Sequence, residues 1–451
     1  MKLIYGVKDK PGFGKTLIFA FQQVLAIMAA TIAVPAIINN GMKDSPMIGN
    51  GMSASAALFG AGVGTIVYLL FTKFKSPVFL GSSFAFIGSM LAAFGGAVSA
   101  AAGYAGIIIG AICAGLVYVV IAIIVKFAGV KWINKLMPAV VIGPTVAIIG
   151  LSLAGNAVGD MFGGEAFADG MTAKAGWSLL VALVTLCTVI LCSVYGKKMV
   201  KLIPFIIGIA AGYIVATILT VTGVCPLIDF TKFQEMSWYP SFTFVEAFKG
   251  VKEITPSYFA TIAVAYAPVA FVVFAEHIAD HKNLSSVIEQ DLLEEPGLHR
   301  TLLGDGIGSM AGAFFGGCPN TTYGESVGCV AITKNASVIS ILTAAILCMV
   351  LSFIAPFATF LSTIPAPVMG GVCLTLYGFI AVSGLKMIQG VDLNDNANLF
   401  TVSVILIAGI GGMCLNLGSV TITEVACALI LGIIVNLVVG KSRKNKAEDA
   451  E

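Results

Sequence analysis

Charge is what this sequence has least of. Aspartate, glutamate, lysine and arginine make up 11% of the 451 residues, against 58% hydrophobic ones. A soluble domain of this size could not cover its surface with so few charged groups, so a water-facing fold is excluded and the bilayer must be the solvent. Histidine is also scarce, at three residues, and the net charge of +2 is spread along the chain. No basic patch for nucleic acid results. The ten cysteines contain no C-x-x-C pair and no metal-like cluster. Cys113, Cys187, Cys348 and Cys427 lie singly in apolar runs, as packing residues do. Neither a His-Glu-x-x-His motif nor a serine–histidine arrangement is present, so an intramembrane enzyme has nothing to work with. No cofactor or metal is expected.

What is present is a succession of apolar runs bounded by glycine, proline or charge. They lie near 16–38, 55–72, 77–95, 104–126, 136–154, 177–196, 200–222, 258–280, 300–317, 319–334, 337–360, 365–384, 397–414 and 418–440. Measured against the roughly 20 residues that cross a hydrocarbon core, this gives about fourteen spans. The first run is too long for a signal peptide and reads as retained. Basic residues fall in alternate loops: Lys2, Lys8, Lys10 and Lys15; Lys73 and Lys75; Lys126, Lys131 and Lys135; Lys197, Lys198 and Lys201. Lys282 and Arg300, Lys334, Lys386, and Lys441, Arg443, Lys444 and Lys446 continue the series. The stretch from Gly96 to Gly103 has none, and those around Asp160 to Asp169 and Asp229 to Glu253 mix the signs. The positive-inside rule then puts both termini in the cytoplasm and requires an even number of crossings.

Fourteen spans divide into two sets of seven, and an odd-numbered repeat places its second copy upside down. Span three opens Pro77-Val78-Phe79-Leu80-Gly81-Ser82-Ser83-Phe84-Ala85-Phe86, and span ten opens Cys318-Pro319-Asn320-Thr321-Thr322-Tyr323-Gly324-Glu325. Both begin with residues that disfavour a continuous helix, which predicts extended backbone followed by a half-helix. Unwound backbone in a membrane must line an enclosed cavity. The alternative is a pair of kinked packing spans.

Few acids fall inside apolar runs. Glu276 and Asp280 end the stretch from Phe259 through Phe274, four residues apart and so on one helix face, and Glu325 lies in span ten. Two places remain open for the first pair: facing a cavity, or hydrated at the cytoplasmic interface. His277 and His281 form another such pair beside Lys282, where a solvated helix end is expected and not a metal site. Glu424 falls near a helix start, where the dipole favours an acid. The stretch Ser285 to Arg300 reads as a cytoplasmic connection.

The blocks Gly81-Ser-Ser-Phe84-Ala-Phe86, Ala275-Glu276-His277, Pro296-Gly-Leu-His299-Arg300 and Pro319-Asn-Thr-Thr-Tyr-Gly-Glu325 together resemble the nucleobase-ascorbate transporter family, nearest to its bacterial uracil permeases. The likeness spans essentially the whole chain. It implies a seven-plus-seven inverted repeat, proton-coupled uptake of a nucleobase, and a homodimer in the plasma membrane. The core domain would comprise residues 1–135 and 257–362, the gate domain 136–256 and 363–441, with a cytoplasmic tail at 442–451. Carried over, Phe84 would border the base, Glu276 and Glu325 would hydrogen-bond it, Gly324 would offer its amide and Tyr323 would line the pocket. Glu276 or Asp280 would carry the coupling proton. Three departures stand out. Asp280 occupies a position where uracil-type members carry His and purine-type members more often Asp, Ser326 replaces an Asn, and Gln22-Gln23 replaces a Gln-His pair. Glu325 within Thr-Tyr-Gly-Glu favours uracil as the first expected substrate, while Asp280 pulls towards xanthine or another purine base as the second. Rivals are an anion carrier of the same architecture, which would need a positive site, and an uncoupled channel, which would need no buried acids.

Overall fold

The computed structural model describes residues 3–43, 45–129, 138–164, 172–197, 199–234, 236–417 and 420–448. Lys2, Lys131, Lys135, Asp169 and Lys198, the expected domain boundary between 135 and 136, and the end of the tail at 449–451 lie outside them. The first half of the chain forms helices α1 (Phe13–Gly41), α2 (Ala54–Phe71), α3 (Ile87–Gly95), α4 (Ala100–Ala128), α5 (Ala139–Ser152), α6 (Ala154–Met161), α7 (Ala173–Tyr195) and α8 (Pro204–Val221). After α9 (Thr243–Gly250) come α10 (Pro256–Ile288), α11 (Leu298–Gly316), α12 (Gly324–Thr333), α13 (Val338–Leu351), α14 (Ala355–Ser362), α15 (Ala366–Met387), α16 (Asn396–Ile410) and α17 (Glu424–Glu448). Among the described residues eight helices are long and apolar enough to cross a membrane. The chain is thus an α-helical, multi-pass membrane protein. Several other apolar runs are shorter or bent: α13 and α14 meet at 83°. α11 is long enough at 19 residues but carries His299, Arg300 and Asp305.

The two runs rich in proline and glycine are broken, as their composition predicts. β1 (Leu80–Ser82) precedes a single 3-10 turn, Phe84–Phe86, and then the nine-residue α3; β2 (Asn320–Thr322) precedes the ten-residue α12. β1 and β2 pair antiparallel, Gly81 opposite Thr321, and the ladder is extended by Ser83 N–H to the Pro319 carbonyl at 2.8 Å. Each strand satisfies backbone groups of the other, which unwound chain in an apolar interior requires. Thr65 on α2 adds a further clamp, its hydroxyl accepting from Leu80 N–H at 2.9 Å and donating to the Ala61 carbonyl at 2.8 Å. Gly81 has to be glycine here, because a Cβ would lie 2.4 Å from the Tyr323 ring.

α2 and α11 pack face to face through glycines four residues apart. A Cβ on Gly60 would meet the Gly312 carbonyl oxygen at 2.5 Å, and one on Gly308 the Gly64 carbonyl oxygen at 2.8 Å. Small residues at this spacing let helix backbones approach closely inside a membrane, where van der Waals packing replaces the hydrophobic effect as the driving force. Asn320, at the start of β2, fills the remaining space and donates to the Gly60 carbonyl at 3.0 Å. The glycine seam thereby fixes the position of the strand pair. α11 also packs on α4, and α4 on α10, while α5 packs on α15, α7 on α8, and α16 on α17.

Gly312→Leu should disrupt this seam, since its first side-chain atom would meet the Asn320 amide nitrogen at 2.3 Å. An overpacking cost of about 1–3 kcal/mol is expected, read as a lower unfolding temperature in detergent. Gly155→Ala, with nothing within 4 Å of the new atom, should melt like the parent.

Candidate functional site

Four residues of α10 at helical spacing, Glu276, Ala279, Asp280 and Asn283, line one side of a cavity of about 350 Å³. Thr321, Thr322, Tyr323, Gly324 and Glu325, where β2 passes into α12, form its end, and Phe84 and Ala85 from the matching break lie beside them. The opposite wall is largely apolar: Val146 and Ile149 of α5, Phe205 of α8, and Leu376, Phe379, Ile380, Ser383 and Met387 of α15. Its size lies in the range, about 300–1,000 Å³, of small-molecule sites. Glu276 and Asp280 therefore face a cavity, and Asp280 is only 8% exposed. Its Oδ2 accepts from the Thr322 hydroxyl at 2.8 Å. Among the described residues, no lysine, arginine or histidine lines the cavity.

Gly324 starts α12, and the first-turn amides of a helix lack intrahelical partners, so this end of the cavity offers N–H donors. Phe84 is half-buried, its ring edge-on to Tyr377 with centroids 6.0 Å apart. Tyr323 reaches the cavity, but its hydroxyl turns away to donate to the Ser82 carbonyl at 2.7 Å and is a brace between the two breaks. Gln23 on α1 donates through Nε2 to the Ser326 hydroxyl, whose oxygen also accepts from Phe79 N–H at 3.1 Å. Two of the departures from the family pattern thus touch each other behind the site.

The solvated end expected for His277 and His281 is overturned. Both are 0% exposed, with rings stacked 4.0 Å apart. The helix does not end at Asp280; it runs two further turns to Ile288, and α2 and α11 supply the groups that enclose the histidines. His277 bonds Asp305 and Thr301, and His281 bonds Tyr68. Asp305, wholly buried, had no sequence signal beyond being an acid in a run with several polar residues. Thr322 and Asn283 could have been found, the first inside the block Pro319 to Glu325 and the second two turns after Glu276. The wall from α5, α8 and α15 could not, because one apolar helix face reads like another. Glu424 is the first residue of α17 and does not line the cavity. Outside the spans, Lys75 Nζ lies 2.5 Å from Glu295 and holds that carboxyl below its ordinary range, joining the segments that follow α2 and precede α11.

Comparison with known proteins gives a consistent result. A family model described as "permease family" matches residues 14–418. The uracil permease of Bacillus caldolyticus is 39% identical over 97% of this chain and 95% of its own length. That of Escherichia coli (strain K12) is 34% identical over 96% and 93%. Among solved structures, the transmembrane domain of the cyanobacterial bicarbonate transporter BicA aligns with a TM-score of 0.58 at 17% identity, covering 96% of this chain and all of that one. The murine anion transporter Slc26a9 in its inward-facing state aligns with a TM-score of 0.66 at 11% identity, covering 97% and 69%. At those identities the likeness is one of fold.

If the Gln23–Ser326 contact positions the first turn of α12, Gln23→Ala and Ser326→Ala should not be additive. A double-mutant cycle on detergent thermal stability should give a coupling of about 0.5–3 kcal/mol. Additive effects would mean that the contact contributes nothing.

Proposed function

Because the chain belongs to the permease family, among the nucleobase-ascorbate transporters, we propose that it is a proton-coupled nucleobase importer, a uracil:H⁺ symporter working by alternating access. The observation that carries this reading is a cavity lined by Glu276, Asp280 and Glu325 with no cationic side chain among the described residues. Such a site disfavours anions and suits a neutral ring. Uracil presents two N–H donors and two carbonyl acceptors, which match carboxylate acceptors and the amide donors at the start of α12. In this reading Glu276 and Glu325 accept from the base, Gly324 donates to it, and Phe84 packs on the ring, with Tyr323 bracing the pocket. Protonation of Glu276 or Asp280 is linked to occupancy. The anion transporters that share the fold would need the opposite sign here.

The moving parts we assign are a core of α1 to α4 and α10 to α14, built on residues 1–135 and 257–362, and a gate of the remaining helices, on 136–256 and 363–441. Together they make fourteen membrane segments in two inverted sets of seven, with both termini cytoplasmic, in a plasma-membrane homodimer. Helix packing supports the division, since α11 packs on α2 and α4, α4 packs on α10, and α5 packs on α15. A second cavity, of about 440 Å³, is lined from both assigned parts and includes Asn39, Asn40, Lys232 and Met369. Met369 and Met387 belong to the two cavities and stand near opposite ends of α15, about 27 Å apart at a helical rise of 1.5 Å per residue. Two cavities near opposite ends of one helix suit alternating access. Xanthine or another purine base is the second reading, favoured by Asp280 on the cavity wall.

Competition of labelled uracil uptake by xanthine, uric acid and adenine, with and without a protonophore, tests substrate and coupling together. Uptake unaffected by the protonophore would overturn the coupling. Glu276→Gln should abolish accumulation while the protein still inserts, and Asp280→Asn should lose pH dependence before it loses binding. Phe84→Ala should weaken base binding by about 1–3 kcal/mol, measured by calorimetry.

A further inference from the structure

The hydrogen bonds around His277 can be read for the protons they contain. Thr301 Oγ1 lies 3.0 Å from the Leu298 carbonyl oxygen, to which it can only donate. With the hydroxyl turned that way, the 2.9 Å contact between His277 Nε2 and Thr301 Oγ1 is made by a hydrogen on Nε2. His277 Nδ1 lies 2.8 Å from Asp305 Oδ2, and that contact needs a proton of its own. In that arrangement the pair holds two protons, either as neutral acid and neutral imidazole or as imidazolium and carboxylate, and in both forms its net charge is zero. Burial favours this count. His277 is 0% and Asp305 1% exposed at the side chain, and Asp305 Oδ1 has no hydrogen-bond partner, a costly arrangement for a lone carboxylate.

His281 is the internal contrast. Its Nδ1 lies 2.8 Å from the His277 carbonyl oxygen and must donate, and with no carboxylate bonded to it, the ring is neutral. Its Nε2 then accepts from Tyr68 at 2.7 Å, and the Tyr68 oxygen in turn accepts from Ser76 at 2.7 Å. Every bond in that branch is satisfied with one proton on the ring. Only the His277 branch contains an exchangeable extra one.

We propose that Asp305, His277 and Thr301 form a second proton-binding site of the carrier, distinct from the carboxyls that line the cavity, with the Thr301 hydroxyl as its switch. In the loaded state the donors run Asp305 to His277 to Thr301 to the Leu298 carbonyl. When one H⁺ leaves to water, Thr301 turns its hydrogen onto His277 Nε2, and His277 donates from Nδ1 to the Asp305 carboxylate. The pair then bears one negative charge. The titratable groups around it are Glu276, Asp280 and His281 on α10, Tyr68 on α2, Tyr118 on α4 and Glu325 on α12. None is a lysine or arginine, so the unloaded charge has no fixed counter-ion among them. Glu276 is the neighbour of His277 in sequence, so the site that meets the base and the site that holds this proton share one helical turn.

The inference rests on the proton-coupled reading, and its test separates the two. With three histidines in the chain, selective ¹⁵N-histidine labelling of the full protein in lipid gives three ring systems, assigned by His277→Gln and His299→Gln. Across a pH titration His277 Nε2 should be protonated at low pH and become an acceptor at high pH, while His281 keeps its single Nδ1–H tautomer. A His277 ring whose nitrogens do not change over the range would overturn the proposal. In proteoliposomes, Asp305→Asn should retain labelled-uracil exchange, which moves no net proton, and lose at least tenfold in gradient-driven accumulation. Thr301→Ser should behave as the parent and Thr301→Val should not. Full accumulation by Asp305→Asn would also refute it. Protonophore-insensitive uptake by the parent would instead sink the coupled reading, leaving the spectroscopic result to stand for itself.

Discussion

Carboxyl groups held inside the protein without lysine or arginine partners are the constraint around which the molecule is arranged. Glu276, Asp280 and Glu325 line one cavity, and Asp305 sits behind it, wholly buried. An ion taken out of water is tolerated only where protons, hydrogen bonds or counter-charges replace its hydration. Here the replacements are hydroxyls, imidazoles and the amide end of a half-helix: Thr322 for Asp280, His277 for Asp305, and the start of α12 beside Glu325. None of these fixes a full charge in place. In the proposed reading, occupancy by protons and by a neutral ring are the variables through which the site changes.

Two of those replacements, Thr322 and the start of α12, exist because two stretches of chain give up helical hydrogen bonds. β1 and β2 would each be untenable alone in an apolar interior, and their antiparallel ladder answers both needs at once. The ladder is held from outside by Thr65, Tyr323 and Asn320, and Asn320 is placed in turn by glycines of α2 and α11. A line of small residues on two ordinary helices thus sets the position of the amides at Gly324, and packing is converted into site geometry.

Most of this architecture was legible in composition. Proline and glycine clusters at Pro77–Gly81 and Pro319–Gly324 marked the breaks, and scarcity of charge made Glu276, Asp280 and Glu325 conspicuous. Two things were hidden. The length of α10 was underestimated because Lys282 and Asn283 look like a helix end, and with it the burial of His277 and His281 was missed; polar residues continue a helix wherever neighbouring helices enclose them. The other concealed feature was the α5, α8 and α15 wall, where Phe205, Leu376 and Phe379 differ from lipid-facing residues only by what the fold puts opposite them.

That wall carries its own consequence. Nearly all the polar groups of the cavity, from Glu276 and Asp280 to Thr322, Gly324 and Glu325, stand on α10 and on the β2–α12 break, while the facing helices contribute Ser383 amid apolar side chains. A hydrogen bond across a sliding interface would have to be broken and remade in a low-dielectric medium, at about 1–3 kcal/mol for each group left unpaired on the way. Apolar contacts exchange one neighbour for another at far smaller cost. Concentrating the polar chemistry on α10 and the β2–α12 break leaves the facing wall without bonds to the site, and that asymmetry is what the proposed division into core and gate calls for.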